Sequence, residues 1–211
     1  MVCTKWIRRL AVGVVLGLFF LTSMAFAQPD IELPAGPGAT REGYAQTMFD
    51  QGYNLYQAGR TEEAVQFLME AVTTLPEFTK AWYWLARIYM EEDMTDEAIW
   101  AWRKVVQLDP TDARARYFLR KVENWNQYGK QAWESYEQGQ IAYHEQDYTQ
   151  AVSSLRSAVE ANPQFVDAWY WLGISYMRAG DNPNAIAALE RVLELNPAHA
   201  EAQYWLGQVG G

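Results

Sequence analysis

The stretch AWYWLGISYMRAGDNPNAIAALERVLELNP, Ala168 to Pro197, decides the fold of this chain. It reads as a helix, a turn at Gly180-Asp181, and a second helix that stops before Pro197. Counted in units of thirty-four residues from Ala45, with the later units in the same register, Gly173, Ala185, Val192 and Pro197 stand at offsets 8, 20, 27 and 32. The same offsets hold Gly52, Ala64, Ala71 and Pro76, and then Ala86, Ala98, Val105 and Pro110. After an interruption they return as Gly139, Ala151, Ala158 and Pro163. Small residues at 8 and 20 let two antiparallel helices approach closely. The one at 27 admits the first helix of the following unit.

A second level of repetition lies above the first. Under a shift of eighty-seven residues Trp82-Tyr83-Trp84-Leu85 falls on Trp169-Tyr170-Trp171-Leu172, Tyr89-Met90 on Tyr176-Met177, and Tyr117 on Tyr204. About a third of the positions from Ala45 to Val122 are identical under that shift. The chain is therefore two copies of one block, each of two full repeats and a solitary helix. The first block, 44–126, holds repeats 45–78 and 79–112 and a helix over 113–124; the second, 132–211, holds repeats 132–165 and 166–199 and a helix over 200–209. Arg116 and Gln203 occupy offset 4 of the solitary helices, where inner units have Trp82 and Trp169, so each helix is expected to cap its block with a wettable face. A hinge is expected over 127–131, giving either two lobes or one superhelix with a fault near Gly129.

The pattern resembles the tetratricopeptide repeat (TPR) family. Its Trp-Leu-Gly-Tyr, Ala and Pro positions are matched most fully by Trp169, Leu172, Gly173, Tyr176, Ala185, Ala188, Leu189 and Pro197. The resemblance implies an all-α solenoid of helix-turn-helix repeats. It also implies that the first helix of each repeat, helix A, lines a concave groove through offsets 2, 5, 9, 12 and 13.

Composition bounds what such a solenoid could do. Lys5, Arg8 and Arg9 precede an apolar run, Leu10 to Leu21, and Ala25-Phe26-Ala27 presents small residues where a signal peptidase reads. Residues 1–27 are expected to be a cleaved secretory signal, with an uncleaved inner-membrane anchor as the alternative. Residues 28–43, with Pro29, Pro34, Pro37 and three glycines, read as an extended linker. Cys3 lies in the signal, so the mature chain would have no disulfide or thiolate chemistry. Of the 17 Lys and Arg, 14 would remain against 26 Asp and Glu, a formal charge of 14 − 26 = −12. That acidity argues against nucleic acid and against anionic membrane surfaces as partners.

Trp82, Trp169, Leu85, Leu172, Tyr89 and Tyr176, at offsets 4, 7 and 11, are expected to be core. The groove positions implied by the resemblance hold a different set. Offset 5 is always aromatic: Phe49, Tyr83, Tyr117, Tyr136, Tyr170 and Tyr204. Tyr53 stands at offset 9, and offset 12 adds Tyr56, Met90, Tyr143 and Met177. Such a row offers a peptide apolar contact at little entropic cost, with phenol tips for its backbone. Trp84, Trp171 and Trp205, at offset 6, could be exposed anchors or wedges between neighbouring A helices. At offsets 2 and 9 the first block places Lys80, Arg87, Arg114 and Lys121, where the second has Asp167, Ile174, Glu201 and Gln208. The four cations suggest an anion-recognising groove, unless they pair with acids such as Glu91 and Glu123. The carboxylate clamp of chaperone-binding relatives is not reproduced. Phe49, Tyr53, Trp84 and Phe118 stand at four of its offsets, and Arg114 alone coincides with it.

No catalytic constellation is visible around His144 or His199, no metal or cofactor is called for, and Glu91-Glu92-Asp93 lacks the glycine of a calcium loop. The expected function is a non-catalytic protein–protein interaction adaptor, periplasmic or secreted, serving the bacterial cell envelope. Its partner would be a peptide segment or a protein domain. The alternatives are a self-associating scaffold and an accessory subunit of an envelope assembly or hydrolase complex.

Overall fold

The computed structural model describes residues 40–209; the expected signal over 1–27 and the linker as far as residue 39 lie outside the described residues. Ten α-helices follow one another along the described residues. In chain order they are α1 (Arg41–Gln57), α2 (Thr61–Thr74), α3 (Thr79–Glu91), α4 (Thr95–Leu108) and α5 (Ala113–Tyr128). The second half holds α6 (Lys130–His144), α7 (Tyr148–Ala161), α8 (Val166–Arg178), α9 (Asn182–Leu195) and α10 (Ala200–Val209). The A–B pairs are α1/α2, α3/α4, α6/α7 and α8/α9, and each packs on the next element to make an α-solenoid.

Two expected boundaries move. Residues 41–43, expected in the linker, lie in α1, which begins at Arg41. Thr40 caps it, its hydroxyl accepting from the Gly43 N–H at 3.0 Å, so Gly43 belongs to the first helical turn. The solitary helix of the first block, expected to stop at 124, runs on to Tyr128, leaving Gly129 alone between α5 and α6. The reason is packing: Trp125, in the added turn, is buried, and Tyr128 at its end stacks on Phe165. Gly129, at φ 88°, then reverses the chain in a conformation that other residues resist.

Contact between the paired helices is closest where a glycine of helix A meets a leucine of helix B. A Cβ added at Gly139 would lie 2.5 Å from Cγ of Leu155, and at Gly173 it would lie 2.8 Å from Cγ of Leu189. Both leucines are fully buried. In α3 the small residue is Ala86 instead, and the residue facing it in the repeat register is Trp102, also fully buried. The Trp102 ring stacks on Phe118 at 5.0 Å and meets Tyr83 edge-on at 5.1 Å, while its N–H donates to Met90 Sδ at 3.0 Å.

The two blocks are joined through side chains. The Tyr128 ring stacks on Phe165 at 3.9 Å, and its carbonyl accepts from Asn162 Nδ2 at 3.0 Å. Lys121 pairs with Glu137 at 2.7 Å. Lys130 pairs with Asp93 and lies over the Trp125 ring at 4.8 Å. Asp93 takes φ 58° at the position where the second block has Gly180. Asp tolerates that left-handed turn better than most residues, and here its carboxylate also reaches Lys130 across the junction. Residues 40–209 thus belong to one compact unit.

The duplication exposes an imbalance in the core. Tyr176 OH accepts from Arg156 at 2.8 Å. Its counterpart Tyr89 is more deeply buried and its OH has no partner, because Met69 stands where the second block has Arg156.

Two outcomes follow for stability. Gly139→Ala should destabilise the chain by about 1–3 kcal/mol in chemical denaturation. Combined with Leu155→Ala, the loss should be smaller than the sum of the two single losses, because the shortened side chain no longer clashes with the added methyl. Tyr176→Phe should cost about 0.5–1.5 kcal/mol, whereas Tyr89→Phe should be neutral or stabilising, since it removes an unsatisfied hydroxyl.

Candidate peptide-binding site

Helices α1, α3 and α5 carry the first-block candidates, and α6, α8 and α10 those of the second block. Side chains at offsets 6, 9, 12 and 13 tie neighbouring A helices together. Trp84 packs against Tyr53 at 4.9 Å and Tyr56 at 5.4 Å, and Trp171 packs against Tyr143 at 5.1 Å. Tyr56 OH donates to Glu91 at 2.6 Å, which with burial raises the Tyr56 pKa. At the equivalent place Arg178 donates to Tyr143 OH at 3.4 Å. The bridge is retained while its charged partner changes sign. Trp84 and Trp171 are thus wedges between A helices, and Tyr53, Tyr56 and Tyr143 are half-buried struts beside them.

The offset-5 row divides by exposure. Tyr204 and Tyr117 are exposed, at 60% and 44%. Phe49, Tyr83 and Tyr170 are half-buried. Tyr136 corrects the expectation: it is only 7% exposed, packed on Phe165 at 4.8 Å and Trp133 at 5.2 Å. The elongated α5 causes this, because Tyr128 at its end stacks on the same two rings and closes the space that Tyr136 would face. Burial first, then the charge of Asp167 and the neighbouring Tyr128, push the Tyr136 phenol well above its ordinary value. Met90 and Met177 are half-buried, Met90 as the acceptor for Trp102.

The four cations also divide. Arg87 pairs with Glu91 at 3.2 Å and lies over the Trp84 ring at 5.1 Å. Lys121 is held in the junction by Glu137; burial opposes its charge, yet the Glu137 hydrogen bond and charge keep its pKa above the ordinary value. Glu123 pairs with Arg103 instead. Lys80 and Arg114 are exposed and make no ion pair among the described residues. Both stand in the first turn of their helices, α3 and α5. Cations there oppose the helix dipole, so local stability does not explain them. Tyr83 and Tyr117 follow each at i+3, on the same helical face.

In the second half, a cleft of about 570 Å³ opens among the end of α5, the α7–α8 and α9–α10 turns, and the first turns of α8 and α10. Tyr128, Val166, Asp167, His199 and Glu201 are among its lining residues. Sequence reasoning placed none of these five in a site, although the opposite charges at 80/167 and 114/201 were visible in the repeat register. His199 serves the fold, since its ring stacks on Tyr170 at 5.0 Å and its Nδ1 accepts from the Ala202 N–H at 3.3 Å, capping α10. Among the described residues no group of three or more His, Cys, Asp or Glu could hold a metal ion, and no helix is long and apolar enough to cross a membrane.

A profile of the family Tetratricopeptide repeat matches residues 55–122 and 142–209. No curated protein sequence matches the chain. Among solved structures, MamA 41-end from Desulfovibrio magneticus RS-1 is 20% identical, covering 81% of this chain and 85% of that one, with a TM-score of 0.35. YrrB, a TPR protein with an unusual peptide-binding site, is 17% identical over 78% of this chain and 98% of its own, with a TM-score of 0.40. The TPR2AB-domain:pHSP90 complex of yeast Sti1 gives 17% identity, 78% and 69% coverage, and a TM-score of 0.40. Identities this low concern the repeat fold alone.

The buried phenol of Tyr136 has a consequence at alkaline pH. Its folded pKa lies above the unfolded value of about 10, so its contribution to stability is complete below that pH and is lost as pH rises through the folded value. Denaturation curves at about pH 8 and about pH 11 should show a smaller alkaline loss for Tyr136→Phe than for the parent chain.

Proposed function

Because the chain belongs to the tetratricopeptide repeat family, whose profile covers both of its halves, we propose that it is a non-catalytic interaction adaptor that captures an extended peptide segment of a partner protein. The observation that carries this reading is the pairing of Lys80 with Tyr83 and of Arg114 with Tyr117. Each is an exposed cation in a first helical turn, without an ion-pair partner among the described residues and one turn from an aromatic ring. An acidic or carboxylate-bearing segment would supply the missing counter-charges, and the rings would hold its apolar parts.

The setting proposed for this activity is the bacterial cell envelope, on the strength of the leader-like Lys5 to Ala27. Self-association into a scaffold has less support than the tryptophan content alone suggests, since Trp84 and Trp171, two of the surplus tryptophans, pack between A helices.

A fluorescein-labelled, glutamate-rich peptide should bind the chain, and Lys80→Asp with Arg114→Glu should weaken it about tenfold or more, the scale of two lost charge-assisted contacts. The second block carries Asp and Glu at these positions, so the fold accepts the exchange and Tm should not fall. Undiminished binding would remove the basis of the proposal. For the setting, mass spectrometry of the exported chain should find Gln28 at its N-terminus; an intact Met1 in the cytoplasmic fraction would contradict it.

A further inference from the structure

The two blocks carry opposite charges at identical register positions, and in the second block those charges border a cleft. Asp167 replaces Lys80 and Glu201 replaces Arg114 under the eighty-seven-residue shift. Both acids line the 570 Å³ cleft, beside Tyr128, Val166 and His199, with the amide of Gln164 on its wall. The volume lies in the range of ligand sites, and the wall mixes apolar surface with a few acceptors. We propose that this cleft takes a basic side chain of a bound peptide, an arginine, so that the two halves of the molecule read segments of opposite charge. This rests on the reading of the chain as a peptide binder.

The cleft's charge is not neutralised from within. Asp167 makes no ion pair among the described residues, and its field reaches inward, contributing after burial to the raised pKa values of Tyr128 and Tyr136. Glu201 lies 3.3 Å from Nδ1 of His199. That nitrogen also accepts from the Ala202 N–H at 3.3 Å. Acids in a first helical turn also favour the helix dipole, and that effect alone could account for Asp167 and Glu201 as stabilising residues. It does not account for the inversion, because the first block keeps cations at the same two places against the dipole. Arginine suits the cleft better than lysine. Its planar fork matches carboxylates, and it loses less on leaving water for a site partly walled by Tyr128 and Val166.

The probe is the blocked peptide acetyl-Gly-Arg-Gly-Arg-Gly-amide, with citrulline in place of arginine as its neutral counterpart, titrated into the full chain. Affinity is read by calorimetry, and location by backbone amide shifts. Binding of the arginine peptide should shift Val166, Asp167 and Ala200. It should weaken tenfold or more with citrulline, and likewise in the double variant Asp167→Lys, Glu201→Arg. It should be unchanged in Lys80→Asp, Arg114→Glu. The first block already holds Lys and Arg at the exchanged positions, so the double variant folds, and circular dichroism checks this. No binding of the arginine peptide, equal binding of the citrulline peptide, or full binding by the Asp167→Lys, Glu201→Arg variant would each overturn the proposal. Shifts confined to the surroundings of Tyr83 and Tyr117 would overturn the cleft while leaving the peptide-binding reading intact. If the parent chain binds the arginine peptide but not the glutamate-rich peptide, the first-block site is overturned and the cleft stands.

Discussion

The structure depends on backbone-close contact between the two helices of each repeat, made possible where a leucine of one sits against a bare glycine of the other. At Gly139 and Gly173 no room exists for even a methyl group. That closeness fixes the angle and spacing of each pair, and the stack repeats it. Van der Waals attraction falls off steeply with separation, so a pair held this closely is stiff. The α3/α4 pair uses another solution, with Ala86 and Trp102 in place of glycine and leucine. The larger ring reaches Tyr83, Phe118 and Met90, so a core choice shapes the surface above it.

Most of the aromatic richness of the A helices serves the stack itself. Trp84 with Tyr53 and Tyr56, and Trp171 with Tyr143, join one repeat to the next. The groups left for a partner are fewer: the exposed first-turn charges and, a turn beyond them, the exposed Tyr117 and Tyr204 and the half-buried Tyr83 and Tyr170. In the first half those charges are positive and in the second negative, on equivalent backbone positions. Duplication has preserved the geometry and divided the chemistry. The Tyr56–Glu91 and Tyr143–Arg178 bridges show the same division inside the scaffold, where the contact persists and its sign does not.

The repeat, its period and its doubling were legible in the chain, and so were the core positions Leu85, Leu172, Tyr89 and Tyr176, all of them buried. Such positions obey a local rule, since a helix shows one face inward whatever lies beyond it. Trp169, read as core, is only half-buried, its N–H donating to the Pro163 carbonyl at 3.0 Å. The candidate site was legible in part. Lys80, Arg114, Tyr117 and Tyr204 are exposed, while Tyr136 is covered by rings from α5 and the α7–α8 turn, eight residues before it and twenty-nine after it in the chain. The pairing of Lys121 with Glu137 across the junction was equally out of reach of helical spacing, which compares neighbours on one helix and is silent about two.

By itself the sequence determined that this is an all-α repeat protein, where its helices pair, and which block carries which charge. Those properties follow from period, from small residues at fixed offsets, and from simple counting. Only the tertiary structure decided which aromatics remain on the surface, which cations keep their charge unpaired, and that a cleft opens beside Asp167 and Glu201. The covering of Tyr136 and one wall of the cleft depend on how far α5 extends before Gly129 and on where its last ring lands. That outcome is set by packing between elements distant in the chain, which no local pattern of residues encodes.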